Sequence, residues 1–133
     1  MRNPVVVFAA ALLFTCGNAC SCNADRTVLF IETDLAGKHV RVLVVALTDE
    51  KGTACIGGDW KRARIVFDPS KYSKDPVYKF ETGKLEVLLV NGFCDAYDSY
   101  IGEISNGIFS GDHVQYGWNS TTIGKVTGTL PAE

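Results

Sequence analysis

Hydrophobic positions fall into two regimes along the chain. From Val5 to Phe14 they run without a polar break, whereas beyond residue 25 they come in short bursts separated by Gly, Asp, Asn, Ser and Pro. Bursts of roughly four to eight residues bounded by turn chemistry predict β-strands. Val28 to Ile31 is one, short and rich in β-branched and aromatic side chains. Val40 to Leu47 (VRVLVVAL) is nearly all apolar and predicts a central strand buried on both faces. Asp49-Glu50-Lys51-Gly52 supplies the turn that closes it. Arg62 to Phe67 interleaves charged and apolar side chains and stops at Asp68-Pro69-Ser70. Val77 to Phe80 and Leu85 to Val90 flank Thr82-Gly83, a hairpin signal. Val114, Tyr116 and Trp118 alternate, and Ile123, Val126 and Leu130 mark a last, weaker strand.

One stretch carries a different period. Across Asp95 to Ile108, Tyr97, Tyr100, Ile101, Ile104 and Ile108 recur at spacings of three and four, which predicts a short helix despite Gly102. Asp95 would cap its start and Gly107 would end it. The expected fold class is therefore all-β with one short helix, closed as a small barrel or stacked as a β-sandwich.

The first apolar run changes the picture of the domain. Arg2, the run itself, and the small residues Gly17 and Ala19 have the order of a secretory signal peptide over residues 1–19. The run is too short for a membrane span, and no second stretch of spanning length follows. Cleavage after Ala19 would make Cys20 the amino terminus of a single domain, 20–133, in a secreted, extracellular protein. Without Arg2, twelve basic residues face fifteen acidic ones, a balance that does not point to nucleic acid. Cys20, Cys22, Cys55 and Cys94 remain after the leader, and an even count in a short secreted chain predicts two disulfides. A Cys20–Cys22 ring would be strained, so each of these two is expected to bond one of Cys55 and Cys94, in either arrangement. Asn119-Ser120-Thr121 is an N-glycosylation acceptor.

Catalytic chemistry is thin. The chain has only His39 and His113, and no nucleophile elbow, paired metal-binding histidines or phosphate-cradling loop. Cys55-Ile56-Gly57-Gly58 reads as a tight turn beside a disulfide. The acidic positions Asp34, Asp49, Asp59, Asp95, Asp98 and Glu103 read as solvated strand ends rather than a calcium site. Neither an enzyme nor a bound cofactor is expected. The amino-terminal tip offers more. An α-amine and the carbonyl of the same residue can chelate one metal, and a protease zinc keeps an open position for such a ligand. A chain beginning at Cys20 would place Cys20 on that zinc and point Ser21 into the adjoining specificity pocket.

Cys20-Ser21-Cys22 after a small-residue cleavage site resembles the start of the tissue inhibitors of metalloproteinases. Cys22-Asn23-Ala24-Asp25 ahead of Val28-Leu29-Phe30 is similar to that family's entry into its first strand. Leu85 to Cys94 followed by Asp95-Ala96-Tyr97 is similar to its strand ending in cysteine. The sequence departs from the family in fusing two motifs that are normally about ten residues apart, so that Cys22 serves both. The resemblance implies a netrin-like, OB-type barrel, Cys20–Cys55 and Cys22–Cys94 bonds, a Cys20-Ser21-Cys22 inhibitory tip, and a secreted zinc metalloproteinase as partner. The alternative is a secreted, non-catalytic binding module. It would be a transthyretin-like or C2-like sandwich, recognising a protein or ligand through loops around Trp60 or Tyr97–Tyr100.

Overall fold

The computed structural model describes residues 25–131. Eight antiparallel strands follow one another around a closed barrel: β1 (Arg26–Thr33), β2 (His39–Lys51), β3 (Lys61–Phe67), β4 (Val77–Glu81), β5 (Lys84–Leu88), β6 (Tyr97–Ser105), β7 (Ile108–Tyr116) and β8 (Thr121–Thr129). Pairing of β1 with β8 closes the ring, with Leu29 opposite Thr129 and Thr33 opposite Lys125. The order is that of an up-and-down barrel, where an OB-type barrel closes five strands in Greek-key order. Closure leaves no unpaired sheet edge between first and last strands and excludes the sandwich. The weakest seam is β3–β4, which is registered only at Lys61–Tyr78 and Arg62–Val77.

The predicted helix over 95–108 is not formed; that segment is β6 and the turn after it. Its apolar spacings of three and four mix two faces of a strand. Asp98 and Tyr100 point inward while Ile101 sits on the outer wall. Asn106 and Gly107 both take positive φ, 54° and 76°, so the glycine read as a helix end is half of a two-residue hairpin turn into β7. Thr82 and Gly83, φ 50° and 80°, make the same device between β4 and β5, as the sequence predicts.

Inward positions build the core. Val28, Phe30, Leu43, Val45, Leu85, Val87, Tyr100, Phe109 and Val126 are all at or below 1% exposure. Eight strands enclose a space just wide enough for side chains to fill, so large residues must face small ones. A side chain at Gly128 would meet the Phe30 ring and Phe109 Cβ at 3.0 Å, so this glycine is where the two aromatics fit. The expectation that Val40–Leu47 is buried on both faces is corrected. Leu43, Val45, Ala46 and Leu47 are buried, but Val40 is exposed and Val42 and Val44 are half-buried, because no second layer covers the outer wall there.

A smaller cluster lies outside the barrel. Val77 and Leu88 face outward from β4 and β5 and are covered by the β2–β3 connection, which buries Trp60 against them. The Trp60 indole N–H donates to the carbonyls of Ile56 and Gly57. The Asn91 amide donates to Thr53 O at 2.6 Å, and a Cys55–Cys94 disulfide fastens the loop to the β5–β6 connection. That bond corrects the expected pairing of Cys55 and Cys94 with Cys20 and Cys22. The covering loop brings the two body cysteines within a Cα separation of 5.4 Å, which suits a disulfide. Closing a loop of this length removes roughly 4 kcal/mol of chain entropy from the unfolded state.

Candidate functional site

Four strands each place one charged or titratable residue at an inward position near the end of the barrel where the β1–β2, β3–β4, β5–β6 and β7–β8 connections gather. These are Glu32 on β1, Arg41 opposite it on β2, Asp98 on β6 and His113 on β7. His113 lies between the two carboxylates, with Nδ1 2.7 Å from Glu32 Oε2 and Nε2 2.6 Å from Asp98 Oδ2. With both carboxylates ionised, both ring nitrogens donate and the ring is an imidazolium, in line with the upward shift of His113. The Tyr100 hydroxyl donates to Glu32 Oε1 at 2.7 Å, and the Tyr72 hydroxyl donates to Asp98 Oδ2. Arg41 lies over the Tyr72 ring, 4.2 Å from its centroid, and pairs with Glu32 Oε1 at 3.3 Å. That contact is an ion pair lacking hydrogen-bond geometry, and Arg41 Nε has no partner among the described residues.

The set is electroneutral: two carboxylates, one guanidinium, one imidazolium. Burial alone would raise the Glu32 and Asp98 carboxyls, but hydrogen bonds from His113 and a tyrosine, with the nearby cations, hold both below the usual carboxylate range. Burial would lower His113, and the bonds and charges of Asp98 and Glu32 raise it instead. Burial and a carboxylate partner push the Tyr72 and Tyr100 phenols up, so both remain donors. Gly124 makes room for the network, since a side chain there would meet Glu32 Oε2 at 2.8 Å.

Chemically this arrangement is a lock. Neither nitrogen of His113 keeps a lone pair with which to accept a proton, and Glu32, His113 and Tyr100 are sealed at 3% exposure or less. The bridging ring also holds the carboxylates apart, and among the described residues no group of His, Cys, Asp or Glu is placed to hold a metal ion.

Asp98 joins this lock to the surface. Both its bonds fall on Oδ2, and the residue also lines a groove of about 320 Å³ at the barrel end where β6 begins, β7 ends and β8 begins. Tyr97, Gln115, Tyr116, Asn119 and Thr121 line it as well. The Tyr97 and Tyr116 rings stack at 4.8 Å with 25° between planes. Tyr97 is seated from beneath by the Trp60–Val77–Leu88 cluster. Burial, then Glu86 and Tyr97, raise the Tyr116 phenol. Trp118 flanks the groove at 102% exposure, the most exposed large apolar side chain of the described chain, and Phe93 in the β5–β6 connection is 58% exposed.

Of the residues singled out in the sequence, Cys20, Ser21 and Cys22 lie outside the described residues. Cys55 and Cys94 are bonded to each other, and Asn119 is exposed beside Trp118. Of the aromatics that the binding-module alternative offers as loop anchors, Trp60 is core at 3% exposure and Tyr100 is fully buried. The sequence reading missed Glu32, Arg41, Asp98 and His113 as a set. A signal was present: each stands two residues from an apolar inward position (Phe30, Leu43, Tyr100) or four (Phe109), where strand alternation calls for another apolar side chain. No protein-family model, no curated protein and no solved structure matches this chain. Among the described residues, no helix is long and apolar enough to cross a membrane.

Proposed function

We propose that this chain is a non-catalytic binding module that takes its partner at the rim formed by Tyr97, Tyr116 and Trp118. The observation that carries the reading is Trp118, an indole held wholly in solvent beside a stacked tyrosine pair. Large aromatics are the side chains most often found as anchors of recognition, and leaving one exposed has no folding benefit. The Tyr97–Tyr116 stack sits on strands β6 and β7 and is backed by the Trp60 cluster, which lowers the ordering cost of binding there. An enzymatic reading has less support, since the one titratable cluster is sealed and has no free base. Leu29, Val66 and Phe67 are also exposed, on β1 and β3. The Cys55–Cys94 bond fits an oxidising, extracellular setting. The test is retention of a partner from the protein's native extracellular medium on the immobilised wild-type chain and on Trp118→Ala. Loss on the variant, with unchanged melting, is expected; equal retention refutes the rim.

Metalloproteinase inhibition through the Cys20 amine and carbonyl is the second reading, motivated by Cys20-Ser21-Cys22 at the proposed cleavage site. Cys55 and Cys94 are no longer available to brace that tip. Protein beginning at Cys20 would inhibit a zinc metalloproteinase while protein with one added amino-terminal alanine would not. Equal potency of the two excludes chelation.

A further inference from the structure

We propose that this chain pairs with a second copy of itself along the open edge of β3, and that Cys20 and Cys22 of the two copies cross-link the dimer. None of the residues involved belongs to the aromatic rim. The barrel wall is thin beside β3. Strand β4 pairs with it only at Lys61 and Arg62, and one further bond, from Ala63 N–H to Pro76 O, ends the seam. The β3–β4 connection is fastened instead to the end of β5. Lys74 N–H donates to Leu89 O, Asn91 N–H donates to Lys74 O, and the Ser73 hydroxyl donates to Leu89 O.

Residues 64–67 are thus paired with β2 on one side and, among the described residues, with no strand on the other. Ala63 directs its N–H across the seam, and strand alternation turns the N–H and C=O of Ile65 the same way, into the gap. Side-chain exposure agrees. Ile65 stands opposite the fully buried Val45 yet is itself 37% exposed, and Val66 and Phe67 are each 54% exposed. An open edge of β-branched and aromatic residues, with no charge from 65 to 67, is a template for another strand.

The cysteines identify the occupant. Cys55 and Cys94 are bonded to each other, so Cys20 and Cys22 have no body cysteine left to join. A bond between those two would close a strained ring. The arm that carries them leads into Asp25, whose carboxylate pairs with Arg64 of β3 at 3.1 Å. Cys22 is three residues ahead of Asp25 and so stays within about 11 Å of it. An arm laid over its own edge would still leave both thiols without partners. A second copy meets both needs, with a strand for the edge and two cysteines for the two thiols. About a two-fold axis the same patch meets itself, and each arm meets its counterpart. Three side chains and a short edge fall below the ~1,200 Å² that a stable non-covalent interface buries. Cross-links sustain so small a contact by raising its effective concentration. Each bond forms as two thiols, one from each copy, give two protons and two electrons to a disulfide oxidant of the export route, which leaves as two thiols.

The test uses the full chain secreted from a host whose export route forms disulfides, with free thiols capped on collection. Light scattering and non-reducing electrophoresis give the mass. Peptide mass spectrometry on co-secreted light and isotope-labelled chains separates bonds between copies from bonds within one. A dimer is expected, with mixed-isotope peptides joined through Cys20 or Cys22 and with Cys55–Cys94 intact in each copy. Cys20→Ser combined with Cys22→Ser should leave a monomer at micromolar concentration. Val66→Asp and Phe67→Lys each set like charges against one another across the axis and should lower the dimer fraction about fivefold or more. Both positions are exposed, so unchanged melting is the control for the fold. The proposal is overturned if the secreted protein is monomeric, or if Cys20 and Cys22 are absent, bonded within one chain or joined to anything but a second copy. It is equally overturned if both edge variants dimerise as the wild type does. Trp118→Ala should dimerise normally; loss of the dimer on that variant would move the interface to the rim and refute the edge.

Discussion

The inside of this barrel holds two layers that use the same strands and opposite physics. One is apolar, with Val28 and Phe30 of β1, Leu43 and Val45 of β2, Val87 of β5 and Phe109 of β7. The other begins where the same inward rows reach Glu32, Arg41, Asp98 and His113. Apolar packing is non-directional and tolerates exchange of residues of similar volume. The charged layer gains little net free energy, because removing four charges from water costs about what their pairing returns. It is, however, intolerant of losing a member, and it permits one arrangement of its partners. Shifting any of these strands by one residue would turn its charge outward and leave the others unpaired. The lesson is that the lower layer supplies stability and the upper layer register.

That contrast can be broken. His113→Ala is expected to have the largest effect, destabilising the fold by about 3–5 kcal/mol, because it leaves Glu32 and Asp98 buried without their shared cation. Leu43→Ala, a cavity in the apolar layer, is expected to cost about 2–5 kcal/mol. Chemical denaturation measures both. Restoring shape without charge separates the layers: replacing the set together (Glu32→Leu, Arg41→Met, Asp98→Leu and His113→Leu) should cost less than His113→Ala alone. If the quadruple variant is the worse of the two, the charges are a major source of stability and the contrast fails.

Acid and base sharpen it next. Glu32 and Asp98 are held below their ordinary values of 4.5 and 3.8, so their contribution is present above that range and lost as pH falls through the lower folded values. His113 is held above 6.5, so its contribution is full below 6.5 and is lost as pH rises through its higher folded value. Melting temperature should therefore plateau between about pH 4.5 and 6.5 and decline on both sides. His113→Ala should lack the alkaline decline, and an alkaline decline unchanged in that variant would assign the effect elsewhere.

Tyr72→Phe removes one donor to an ionised carboxylate from the rim of the lock and should cost about 1.5 kcal/mol. Smallest is Trp118→Ala. A fully exposed indole contributes nothing to either layer, and its loss should shift stability by less than about 0.5 kcal/mol. A larger loss on that variant would mean that Trp118 is a packing residue and not an anchor.

Much of the barrel is legible in the chain because strand signals are local. The apolar bursts at 28–31, 40–47, 62–67, 77–80 and 85–90 fall within β1 to β5 or run just past their ends, and Thr82-Gly83 turns where its chemistry says. The 95–108 segment was misread because tyrosine and isoleucine at three- and four-residue intervals satisfy a helix as well as the two faces of a strand. Asn106-Gly107 was the better evidence and pointed to a hairpin. The charge lock was not legible as a set. Glu32 and His113 are 81 residues apart, and whether a polar residue at an inward position is an error or a partner depends on what stands across the barrel.

Local pattern by itself determined that this is a β protein of short strands and tight turns, since those properties depend on neighbours a few residues away. Only the closed ring decided which strands meet, that Cys55 bonds Cys94, that Trp60 is covered while Trp118 is bare, and that four scattered charges neutralise one another. Those outcomes depend on distance through space, and in a barrel the residues that face each other across the interior have no proximity along the chain.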